Sequence, residues 1–128
     1  MNNAEHFDIR FDPRDPILFL RLSGFWTLPI ALAFEAALQD AGRDLRLAEK
    51  CTGTLSDSRG FPVQSEEVGA VLARIRVAGP GREPWPTAIV VGSALNKLQA
   101  ERVMKRDNVR VFLDMDEARA WLRARTAK

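Results

Sequence analysis

Short apolar strands alternate with capped amphipathic helices along this chain, and that alternation constrains its fold more than any other feature. It is clearest near the end. Val109-Arg110-Val111-Phe112-Leu113 reads as a short buried strand. Asp114 follows as a helix N-cap, with Glu117 at capping-box spacing and Asp116 adding negative charge at the helix N-terminus. The helix places Ala118, Trp121 and Leu122 on one face. A strand passing directly into such a helix is a β-α unit laid over a sheet.

The same unit recurs upstream. Phe7, Ile9 and Phe11 alternate with Asp8 and Arg10, as in a strand with one wet face. Residues 12–16 (Asp-Pro-Arg-Asp-Pro) form a turn, and the apolar run 17–22 predicts a second strand paired antiparallel with the first. Ser23-Gly24-Phe25-Trp26 breaks that strand. A helix then starts after Thr27, with Ile30, Phe34, Ala37, Leu38 and Ala41 on one face and Gly42 at C′. Residues 43–50 are loop or a ragged turn, and 51–57 form a weaker strand that ends at Asp57. A loop over 58–64 leads to Ser65, the cap of a helix that buries Val68, Val71, Leu72 and Ile75. After the proline-glycine connection 79–86, where Trp85 anchors its loop, comes the clear strand 87–92. Ser93 caps a third helix reaching about Arg106, with a thin apolar stripe of Leu95, Leu98 and Val103. The order β-β-α-β-α-β-α-β-α predicts an α/β fold with a mixed, mostly parallel sheet and an antiparallel first strand. One domain over 1–128, with its core at about 7–125, accommodates it.

Order and residues together resemble the STAS-like fold of bacterial anti-sigma-factor antagonists, and in particular the SpoIIAA-like family of small bacterial proteins. Three segments carry the resemblance: Gly24-Phe25-Trp26-Thr27, Leu55-Ser56-Asp57-Ser58-Arg59-Gly60, and Val111-Phe112-Leu113-Asp114 leading to Trp121-Leu122. The resemblance implies a non-catalytic regulatory module that binds a protein partner in a bacterial cytoplasm. It also implies a phosphorylated serine after the third strand, and Asp57-Ser58 falls at that place. This chain departs from the pattern there. Arg59-Gly60-Phe61-Pro62-Val63 intervenes before the next helix, and this departure favours a purely local turn role for Asp57 and Ser58 over the phosphorylated serine.

Ligands of open α/β sheets favour the carboxyl ends of the parallel strands. The loops expected there supply Trp26 and Phe61 as apolar surface, and Asp57, Ser58, Arg59, Ser93 and Asn96 as polar handles. Trp26 reads also as a lid on the core, and Ser93 as a helix cap alone. Two functions follow. One is a protein-interaction module using Asp57 to Val63 and the following helix. The other is a carrier or sensor of a small apolar ligand or lipid held between Trp26, Phe61 and the third helix. A substantial cavity favours the second; a filled core with a flat exposed patch favours the first.

Other classes find little support. His6 and Cys51 are the sole histidine and cysteine, so neither a metal site nor a His-based nucleophile is expected. Val91-Gly92-Ser93-Ala94-Leu95 lacks the second glycine of a nucleophile elbow, and Gly79-Pro80-Gly81 does not continue as a phosphate loop. No enzyme activity and no cofactor are expected. Net charge is only +2, without basic residues gathered among aromatic platforms, so nucleic acid is not an expected partner. The sequence shows no membrane-spanning run, making the cytoplasm the expected location. The sheet's unpaired edge makes a homodimer a further expectation.

Overall fold

The computed structural model describes residues 5–12, 15–43, 53–75, 86–103 and 107–126. Among the described residues, five strands and four helices follow in the expected order: β1 (Phe7–Asp12), β2 (Asp15–Ser23), α1 (Leu28–Arg43), β3 (Gly53–Gly60), α2 (Glu66–Arg74), β4 (Thr87–Val91), α3 (Ala94–Val103), β5 (Val109–Phe112) and α4 (Met115–Thr126). Cys51, Trp85 and the connection 44–50 lie outside the described residues.

The strands lie side by side in chain order, β1-β2-β3-β4-β5. β1 runs antiparallel to β2, and every later neighbour is parallel. Successive crossovers of one hand between sequential strands carry their helices to one face, which leaves only a terminal helix for the other. The packing follows that rule. Leu18, Leu20 and Leu22 face α1 and α2, where Ala31, Phe34, Leu38, Val68 and Val71 are buried and Phe7, Ile9 and Phe11 pack alongside. On the opposite face, Leu55, Ala88 and Val90 meet Ala118 and Leu122 of α4, joined by Ile17, Phe19 and Phe112.

Local chemistry sets the element ends. Gly24 turns the chain at φ +79°, in the left-handed region, and its N–H donates to the Gly60 carbonyl. Ser65 Oγ accepts from the Val68 N–H at 3.3 Å, Ser93 Oγ from the Asn96 N–H at 3.1 Å, and Asp114 Oδ2 from the Glu117 N–H at 3.2 Å. Gly92 ends β4 against β3: a Cβ there would lie 2.5 Å from the Arg59 carbonyl oxygen. α1 and α2 are clasped by a two-pronged ion pair, Arg74 Nε and Nη2 to Glu35 at 2.8 and 2.6 Å.

Three expectations need correction. Gly42 is not C′, because α1 continues through Arg43. β3 does not end at Asp57; it runs on to Gly60, paired with β4 as far as Ser58 (opposite Val91) and with β2 at Gly60 (opposite Ser23). The third helix turns its leucines the wrong way for a core stripe. Leu95 and Leu98 are each 62% exposed, while Asn96, Gln99 and Ala100 (spaced i, i+3, i+4) look toward the sheet.

Candidate functional site

The described side chains on that inward face of α3, Asn96, Gln99 and Ala100, include no large apolar group, and the space beneath them is not filled. A cavity of 250 Å³ results, open on one side. It lies on the α1–α3 face of the sheet and runs the length of β4, from Thr87 past Ile89 to Val91. Phe61, Leu72 and Ile75 close it on the α2 side. The expected site was the carboxyl ends of the strands; the cleft instead extends along them.

Its floor is polar in an unexpected place. β3 is the central strand, and its residues on this face are Thr54, Ser56 and Ser58, all buried. Leu20 and Ile89 flank Ser56 across the sheet. The Ser56 and Ser58 hydroxyls bond to each other at 3.1 Å, and both line the cleft. Two hydroxyls carry two protons, and the bond between them uses one.

The continuation of β3 to Gly60 divides the expected constellation. Alternation along a strand sends Ser58 to the cleft and Asp57 and Arg59 to the other side. There the Arg59 guanidinium grips Asp57 in a fork, Nε to Oδ1 and Nη2 to Oδ2, both at 2.9 Å. These bonds hold the Asp57 carboxyl below the usual aspartate range. Arg59 is thereby committed to its neighbour, and neither group lines the cleft.

Trp26 is core. It is 1% exposed and sits among Phe7, Phe34 and Phe61 with ring centroids 5.8, 5.2 and 4.8 Å away. Its indole N–H donates to the Ser23 carbonyl at 2.9 Å. Phe61 lies between Trp26 and the cleft, touching both. Of the seven candidate residues the structure brings three to the cavity, Ser58, Phe61 and Asn96. Ser93 acts as the α3 cap.

Sequence reasoning missed Ser56, Gly69, Gln64 and Gln99. Gln64 ties two loops together: its Oε1 accepts the Trp26 backbone N–H at 2.7 Å, and its Nε2 donates to the Gly24 and Pro62 carbonyls. The period-two hydroxyls Thr54-Ser56-Ser58 were the one signal in the sequence for a polar floor.

Comparison with known proteins speaks to the architecture. No family model matches the sequence, and no curated protein matches it. Among solved structures, an anti-sigma factor antagonist from Mycobacterium paratuberculosis superposes with a TM-score of 0.59 over 96% of this chain and 99% of that one, at 12% identity. The fold is STAS-like. Ser58 is 4% exposed and held within β3, with its hydroxyl facing the cleft.

Among the described residues no cluster of His, Cys, Asp and Glu could hold a metal, and no helix is long and apolar enough to cross a membrane.

Proposed function

We propose that this domain is a non-catalytic carrier or sensor that takes a small, mostly apolar ligand in the cleft between α2 and α3. The observation that carries the reading is the 250 Å³ cavity itself. It exceeds the roughly 150 Å³ engineered cavity that binds benzene, and interiors ordinarily fill such spaces. The glycine at position 69 supports it. Gly69 sits inside α2, where glycine costs about 0.5–1 kcal/mol relative to alanine. A Cβ there would meet no atom within 4 Å, so no neighbour demands its absence, and the residue lines the cleft. Native mass spectrometry of gently purified protein tests the reading, together with thermal shifts across a panel of apolar compounds. A bound species is expected, and a ligand at a hundred times its Kd adds about 2.7 kcal/mol. Absence of both retained mass and thermal shift contradicts it.

A second reading, a protein-interaction module, is favoured by exposed apolar groups where β2 to β5 end. Phe25, Val63, Leu95 and Leu113 follow those strands in turn, and each is about half exposed or more. The likeness to an anti-sigma factor antagonist supports it. Replacing Leu95 and Leu98 with serine is expected to abolish a stable complex while leaving the thermal midpoint unchanged; an undiminished complex sinks that surface as the contact.

A further inference from the structure

We infer that the cleft selects an uncharged, compact molecule of about ten non-hydrogen atoms that carries one hydrogen-bonding oxygen, as an alcohol, phenol, ketone or amide does. The inference rests on the ligand-binding reading above and narrows it to a chemical class. Size comes first. If a cavity of about 150 Å³ suits the six carbons of benzene, then 250 Å³ suits about ten atoms. A long acyl chain would have to leave most of its length outside.

Charge comes second. Every described residue that lines the cleft is uncharged. The cations next to lining residues in sequence are engaged elsewhere: Arg59 is forked onto Asp57, Arg21 donates to Ser23 Oγ, Lys97 pairs with Glu101 and Arg110 lies over the Phe112 ring. A carboxylate or phosphate buried here would lose its water and gain no counter-charge from the described lining, a heavy cost. Polarity comes third. The Ser56–Ser58 pair keeps one proton beyond the bond that joins it, together with unused lone pairs, so it can both donate to and accept from a ligand oxygen. Asn96 and Gln99 stand on the facing helix, offering amides across the same space. A neutral oxygen between hydroxyl floor and amide roof can bond to the serine pair or to an amide, and a hydrocarbon remainder meets Phe61, Leu72 and Ile89.

The test compares 1-octanol and 2-naphthol with octanoate and 2-naphthoate at neutral pH, by ligand-observed NMR, on the intact protein and two blocked variants. Gly69→Leu fills the cleft from α2 and Ala100→Phe fills it from α3; thermal midpoints establish that each is folded. The neutral compounds are expected to bind about tenfold or more tighter than their carboxylates. Either folded variant is expected to abolish that binding. Carboxylates that bind equally or better, and are lost in the variants, overturn the neutral class while leaving the cleft a ligand site. Neutral binding that survives in both variants overturns the inference, because the site is then elsewhere. Failure of all four compounds to bind overturns the inference and the carrier reading together.

Discussion

Ile89 and Val90 are consecutive residues of one strand, and they meet very different surroundings. Val90 is fully buried beneath Ala118 and Leu122 of α4, themselves without exposed surface. Ile89 is only partly buried and looks into open space under α3. The strand supplies apolar groups to both faces. What differs is the covering helix: α4 answers with alanine and leucine at the contact, α3 with asparagine, glutamine and alanine. A sheet face stays open when the helix above it presents polar and small groups, whatever the strands offer.

Substitutions can break or sharpen that contrast, and the largest effect belongs to the filled part of the cleft face. Trp26→Ala removes the hub of the four-ring cluster and is expected to cost about 3–5 kcal/mol in urea unfolding. A loss near 1 kcal/mol would mean that the cluster is as loose as the cleft. Truncation on the two faces comes next. Leu122→Ala opens a void in the closed face at about 2–5 kcal/mol, whereas Ile89→Ala, already beside open space, costs about 1–2 kcal/mol. Equal losses would erase the distinction.

Adding atoms should reverse the sign. Ala118→Val overpacks the α4 face and is expected to destabilise by about 1–3 kcal/mol. Gly69→Ala adds its methyl toward open space and improves helix propensity, so a gain of about 0.5–1 kcal/mol is expected. The same thermal or urea titration reads both.

The smallest effect is electrostatic and independent of the cleft. The Asp57 carboxyl is lowered in the fold, chiefly by its bonds from Arg59. A lowered folded pKa contributes stability that is complete above the unfolded value, near 3.8, and is lost as pH falls through the folded one. The difference in thermal midpoint between the protein and Asp57→Asn is therefore expected to stay constant above about pH 5 and to shrink in stronger acid. A difference that grows on acidification contradicts the assignment.

Much of the architecture was legible because period and punctuation agreed. Period-two residues at 7–11, the caps Ser65, Ser93 and Asp114, and the Ala118-Trp121-Leu122 face all stand where their spacing puts them. The site was less legible. Ser58, Asp57 and Arg59 are adjacent in sequence and read as one loop, yet pairing of β3 with both neighbours extends the strand and sends them to opposite sides. Long-range pairing overrode a local turn signal. α3 misled for a related reason: Leu95 and Leu98 look like a core stripe by composition, and only the direction of the chain leaving β4 decides which way they point.

The central claim is that one face of the sheet is closed and the other holds a cavity a small molecule can enter. A crystal structure determined under xenon pressure tests it most directly, since xenon settles in apolar cavities. Xenon is expected between α2 and α3, against Phe61, Leu72 and Ile89, with none beneath α4. Xenon beneath α4, or no xenon anywhere in the domain, contradicts the account.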